Sequence, residues 1–228
     1  MNTNINITRK QNLLMTLIIL FNFLAIYSCS TQAQSFKEHT YIGLEASFGS
    51  RSFEVTSAIA KINHMKAIHG GGSLGFVFGN EALRSRVTVA GVYYSDGNTP
   101  YTQQLFEANA LTNFYPLELT PTLNKARLQP YITTGLGMTN TRFYGSYLEN
   151  QVVKSGYEQF LGKVSLINAK GGLGVEYQLI NNIDFVHVFA EVQYGCPLIY
   201  NASNKTFSNT RFSNFTSVNL GVSFGMRR

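Results

Sequence analysis

The sequence predicts an all-β protein: an eight-stranded antiparallel up-and-down transmembrane β-barrel. Three observations predict it. Side-chain polarity alternates with period two over long stretches, the connections alternate between long and short, and one face of each strand is almost free of charge. From Ser217, residues Val218, Leu220, Val222, Phe224 and Met226 share one face, and Ser217, Asn219, Gly221, Ser223 and Gly225 share the other. Successive strand side chains point to opposite faces, so this pattern belongs to a strand with one apolar side. Residues 185–195 repeat it, with Val186, Val188, Ala190, Val192 and Tyr194 opposite His187, Phe189, Glu191, Gln193 and Gly195. Residues 167–179 do so again.

Extending the pattern upstream predicts strands near 40–50, 67–79, 85–95, 109–120, 128–141, 165–180, 185–196 and 215–226. The connections at 51–66, 96–108, 142–164 and 197–214 are long, and those at 80–84, 121–127 and 181–184 are short. In an up-and-down order every long connection then falls at one end, as in outer-membrane barrels with short periplasmic turns and long surface loops. A lipocalin-type barrel also has eight strands, but its outward face would carry Lys and Glu. Here the strand charges share a face with Gly, Ser and Asn. The uncharged face suits lipid.

The first 33 residues read as a signal peptide, and 34–228 as the barrel domain. Arg9 and Lys10 precede the apolar run Leu13 to Tyr27, and Thr31-Gln32-Ala33 places small residues at a signal-peptidase site. The run is too short to span a bilayer as a helix. Cys29 offers an alternative, a lipidated cysteine in a lipoprotein-type box, with bulky Tyr27 where that box has a small residue. Removing the signal lowers the formal net charge from +6 to +4, because Arg9 and Lys10 leave with it. That weak basicity, without a Lys/Arg run, argues against nucleic acid as a partner. Only Cys196 remains, so the mature chain has no intrachain disulfide.

One stretch matches two active-site motifs. In "HGGGSLGFVFGN" (69–80), His69-Gly70-Gly71-Gly72 spells a lipase oxyanion loop, and Gly70, Gly72 and Gly75 have dinucleotide-turn spacing. A nucleotide turn must open a helix. Phe76-Val77-Phe78 reads as strand instead, so no cofactor is expected, and the glycines are read as relief of crowding in a narrow lumen.

Three segments, "QPYITTGLGM" (129–138), "KGGLGVEYQL" (170–179) and "VNLGVSFGMRR" (218–228), resemble strands of OmpA-like outer-membrane β-barrel domain proteins. The resemblance implies a structural or interaction role in the outer membrane, without the peptidoglycan-binding domain that some of these proteins carry. The chain departs from the pattern in ending on Arg227-Arg228 after Phe224. Pro116, within the predicted fourth strand, is a second departure, since a closed barrel has no edge to hide a missing N–H.

By parity, Glu45, Arg86, Glu118, Lys170, Glu176 and Glu191 face inward. Charges inside a narrow barrel must be paired, so these residues are expected to form a lumen network, with Lys170 near Glu191 and Arg86 near Glu118. The long loops supply candidate surface contacts: Arg142, Tyr144, Tyr147 and Tyr157 in one, and Tyr200, Phe207 and Arg211 in another. Such residues suit adaptable contact with a protein or glycan partner; the alternative is an aromatic girdle against lipid and lipopolysaccharide headgroups. A lipid A-modifying enzyme would need His, Ser and an acid together at the lipid-facing rim. His39 precedes the first strand, His64 lies in a loop, and His69 and His187 face inward. No metal-ligand spacing appears. The expectation is a non-enzymatic monomer, with a narrow ion channel as the other rival.

Overall fold

The computed structural model describes residues 40–56, 65–95, 101–120, 122–123, 126–145, 148–149, 152–153, 159–179, 185–203 and 208–227. Eight long strands make up the wall: β1 (Thr40–Thr56), β2 (Met65–Asn80), β3 (Leu83–Ser95), β4 (Tyr101–Phe114), β5 (Leu128–Gly145), β6 (Gln159–Gln178), β7 (Val186–Ala202) and β8 (Phe215–Arg227). Each pairs antiparallel with its sequence neighbours, and β1 also pairs with β8, from Tyr41 opposite Arg227 to Ser52 opposite Thr216. The sheet therefore closes into a barrel. Closure leaves no long strand with an unpaired edge, which a bilayer could not solvate. Among the described residues no helix is long and apolar enough to cross a membrane.

The outer surface of the lower and middle wall is apolar. Leu44, Leu74, Leu173 and Leu220 are each more than 60% exposed, and Val87, Ile132, Val192 and Phe224 continue the band around the barrel. Their alternating neighbours Glu45, Arg86, Glu176, Glu191 and Ser223 are buried inside. An exposed apolar surface of this extent marks a lipid interface.

Several expectations need correction. The strands run 13 to 20 residues, further toward the loop end than the predicted ones. β1 continues to Thr56, β4 begins at Tyr101, β5 continues to Gly145, β6 begins at Gln159 and β7 continues to Ala202. The reason is an inversion of polarity. Above the apolar band the outward residues become polar, such as Gln104, Arg142 and Lys163, while Leu105, Phe143, Val164 and Leu166 turn inward and are buried. A pattern anchored on an apolar outer face stops where the apolar band ends.

Pro116 is not in a strand. β4 ends at Phe114, and Pro116–Leu119 forms a 3₁₀ turn with the proline at its start, where no N–H is needed. The connection 115–127 is consequently longer than the predicted 121–127. Pro197, within β7, is accommodated by a bulge: the β6–β7 register shifts between Ile167 and Asn168, opposite Pro197, so the missing N–H falls where the ladder is already broken.

The glycine stretch separates by face. On the outer wall a Cβ at Gly70 or Gly72 would meet nothing closer than 3.6 Å, so crowding does not explain those two. Inside, a Cβ at Gly75 would come within 2.8 Å of Glu45 and Thr88, as the crowding argument requires. Gly174 lies directly opposite Tyr131, and Gly195 opposite Phe215. In both pairs the ring covers the glycine, and an added Cβ would overlap it. Gly79, with φ +149°, opens the tight β2–β3 turn, which Asn80 Oδ1 closes by accepting a 2.6 Å bond from the Leu83 N–H.

The signal peptide, the Cys29 and Ala33 alternatives, His39, His64, Tyr147, Tyr157 and Phe207 lie outside the described residues, as does the side chain of His69.

Candidate functional site

The barrel interior is built as three tiers of charge beneath an apolar mouth. At the turn end, β3 places Arg84 between the rings of Tyr41 and Tyr115, each centroid 4.1 Å from the guanidinium carbon. Arg84 Nη1 donates to Glu176 Oε1 at 2.8 Å, and Nη2 lies 4.0 Å from Glu118 Oε1. Tyr115 donates its hydroxyl to the second Glu176 oxygen at 2.8 Å, and His187 Nδ1 sits 3.8 Å from the first. A cation this buried needs both carboxylate and ring faces around it.

Two residues along β3, Arg86 forms the middle tier. It donates to Glu45 Oε1 through Nε at 3.2 Å and Nη2 at 2.9 Å, and to Glu191 Oε2 through Nη1 at 2.7 Å. Gln193 Nε2 bonds the other Glu191 oxygen at 2.6 Å. The planar fork suits this bridging, since one guanidinium satisfies carboxylates on β1 and β7.

Glu107 on β4 anchors the upper tier, held by both Arg51 of β1 and Lys170 of β6. Thr139 donates to Glu107 Oε2 at 3.2 Å and accepts from Asn168 Nδ2 at 2.7 Å. Arg51 and Lys170 also lie over the Phe215 ring, at 4.2 and 5.5 Å. Between the middle and upper tiers is a cavity of about 60 Å³, bordered by Arg86, Glu191, Lys170, Glu107, Arg51 and Asn109.

All six predicted lumen residues are in this network, but their pairing differs from expectation. Lys170 binds Glu107 rather than Glu191, and Arg86 binds Glu45 and Glu191 rather than Glu118. Glu118 comes from the 3₁₀ turn and not from a strand, yet still reaches Arg84 from below. Arg51, Arg84 and Glu107 were missed. Each lies in a segment that the pattern assigned to a connection, and continuing strict parity from Glu45 to Arg51, or from Arg86 back to Arg84, would have placed two of them inside.

The mouth is closed by side chains of opposite character. Val55, Leu105, Phe143, Val164, Leu166, Phe212 and Phe215 form a buried apolar cluster inside the loop end. Phe212 is delivered by the short strand Arg211–Phe212, which pairs antiparallel with the end of β1 at Val55 and Thr56. Tyr200 donates its hydroxyl to the Phe212 carbonyl at 2.8 Å, and Ser213 N–H donates to the Glu54 carbonyl at 2.8 Å. Tyr200, half-buried, therefore serves the closure.

The remaining described loop candidates sit on the rim. Arg211 is exposed, its guanidinium carbon 4.9 Å from the Tyr200 ring centre, and it donates to the Ser208 and Thr210 carbonyls. Arg142 is exposed on the outer wall near the top of β5, and Tyr144 packs edge-on against Phe160 at 5.8 Å.

A closed eight-stranded antiparallel barrel with an apolar outer band, a charge-filled lumen and an aromatic rim defines the class: a β-barrel with the architecture of a membrane-spanning barrel. The chain is similar in structure to OprG of Pseudomonas aeruginosa, at 14% identity over 83% of this chain and 97% of that one, with a TM-score of 0.49. It is also similar to Neisserial surface protein A, at 14% identity over 79% and 96%, TM-score 0.46. A third similar structure is Ail, the attachment invasion locus protein of Yersinia pestis, at 13% identity over 83% and 99%, TM-score 0.45. No protein-family model and no curated protein sequence matches the chain.

Proposed function

We propose that this protein is a non-enzymatic outer-membrane barrel with a closed lumen, which works through its extracellular rim and loops on lipopolysaccharide or on a surface protein or glycan partner. The observation that carries this reading is the filling of the interior. Three ion-pair tiers and an apolar plug occupy the axis from the turn end to the mouth, so the variable chemistry is left to the rim. His187 faces the lumen against Glu176 and Tyr41, remote from the lipid-facing position a lipid A-modifying enzyme would require.

The test combines two measurements. In planar bilayers the protein should give little or sporadic conductance, whereas steady porin-sized channels would sink the closed-lumen reading. Replacing 146–158 with a short Gly/Ser turn should leave heat-modifiable barrel assembly intact while cells lose a binding or envelope-integrity phenotype. Retention of every such phenotype would count against the loops as the working part. A deletion strain whose lipid A differs in mass by an acyl chain would favour the enzyme. The narrow-channel rival draws on the 60 Å³ cavity, which has room for a few water molecules between the upper tiers.

A further inference from the structure

One charged feature of the wall is not absorbed by the lumen network. Arg142 on β5 and Lys163 on β6 are paired residue for residue, and both are exposed on the outer wall. Directly opposed side chains have Cβ atoms about 4.5–5.5 Å apart, and like charges in that relation repel. Neither side chain finds an ion-pair or hydrogen-bond partner among the described residues. The next residue along the row on one side is Gln104, and on the other is Ser203, which is bonded to the Lys163 backbone. Of the strand carboxylates whose side chains are described, Glu45, Glu107, Glu176 and Glu191 face the interior, and Glu54 lies on β1, across the barrel.

The surroundings specify what could neutralise the pair. Below it on the same two strands, Met138 and Ile167 are lipid-facing and apolar, and Asn140 donates to Ser165 at 3.3 Å. Above it the Tyr144–Phe160 pair closes the column. Apolar, neutral polar, cationic and aromatic rows thus succeed one another up the wall. Four residues beyond Met138, at a rise of roughly 3.3 Å each and a tilt of about 40°, put the cations about 10 Å above the apolar edge. The headgroup layer is roughly 5–8 Å deep on each side of the hydrocarbon, so the cations stand at its outer border, within reach of headgroup phosphates through their long side chains. Because the cations are exposed on the outer wall, an anion at the membrane surface reaches them from the lipid side.

We infer that Arg142 and Lys163 form a binding site for the phosphomonoester of an anionic lipid headgroup in the outer leaflet, with Tyr144 and Phe160 framing it from above. The guanidinium engages two phosphate oxygens and the ammonium a third, which converts the cross-strand repulsion into shared attraction to one dianion. The inference rests on the membrane orientation of the reading above and deepens it by naming a headgroup site.

The test uses the inserted full barrel, as the wild type, Arg142→Gln/Lys163→Gln and Arg142→Lys. Each is placed in phosphatidylcholine vesicles doped with lipid A or with dephosphorylated lipid A, and the lipid retained on the extracted barrel is measured by mass spectrometry. The wild type should enrich lipid A, and the double variant should lose that enrichment by about tenfold or more, given roughly one such factor from each pair of surface cations. Dephosphorylated lipid A should not be enriched, and Arg142→Lys should keep most of the effect. Equal enrichment by wild type and double variant, or of both lipid forms, overturns the site. If millimolar inorganic phosphate removes the enrichment, the occupant is soluble phosphate and the lipid assignment fails. Insertion is verified beforehand by unboiled-gel mobility. A chain that does not insert contradicts the barrel reading, whereas one that inserts without enrichment overturns this site alone.

Discussion

Glu107→Gln is expected to lower the stability of the folded barrel by about 3–5 kcal/mol, the range found when one partner of a buried ionic group is removed. Glu107 is the only carboxylate in direct salt-bridge contact with Arg51 and Lys170 among the described residues, and its neutral replacement leaves two buried cations facing one another. Lys170→Met should cost less, because Arg51 remains on the carboxylate and the flexible apolar side chain fills the vacated space against Phe215. Equilibrium unfolding in urea, followed by circular dichroism and by mobility in unboiled gels, measures both. The order of the two effects is the decisive readout. If Lys170→Met were the more damaging, the triad would not be centred on Glu107. Combining both substitutions should be less than additive, since the second removes a cation that the first had stranded.

Arg86→Met should have the other large effect, also about 3–5 kcal/mol, through the opposite imbalance. It strands Glu45 and Glu191, which the same guanidinium bridges at 2.9 and 2.7 Å. Arg86→Lys should recover only part of the loss. An ammonium also has three donors, but they radiate from one nitrogen and lack the planar span by which Nε, Nη1 and Nη2 reach carboxylates on two strands. Full recovery by lysine would mean that net charge, and not the planar fork, matters at this tier. A triple replacement with apolar residues at Arg86, Glu45 and Glu191 should be far less damaging than Arg86→Met, because no charge is then left unpaired.

These expectations depend on pairings that sequence parity did not provide. Parity placed Glu45, Arg86, Lys170, Glu176 and Glu191 correctly inside, because on a strand the face of each residue follows from its neighbour's. It could not assign partners, since which strands bring Lys170 beside Glu107 depends on register and on stagger around a closed wall. Glu107 was also hidden by the late predicted start of β4. Its segment, Tyr101 to Ala108, carries Gln103, Gln104 and Glu107 and lacks a sustained apolar face.

The glycine stretch 69–80 shows the same division. Its alternation and its following aromatic residues were enough to reject a nucleotide turn and to predict a strand. Only the structure distinguishes Gly75, whose Cβ would strike Glu45, from Gly70 and Gly72, which face open space on the outer wall.

By itself, the sequence determined the architecture and the facing of the lower wall. A lipid-exposed apolar band and a polar lumen impose a strict two-residue alternation, and strands with one charge-free face suit closure within a bilayer. Tertiary structure decided how the barrel is filled and capped. Above the apolar band the outward face is polar while Phe143, Val164 and Leu166 turn inward, so the alternation changes sense and stops reporting strand ends. The entry of Phe212 into the mouth and the pairing of Arg142 with Lys163 are contacts between segments distant in sequence. Chain folding and strand register create them, and local patterning carries no record of either.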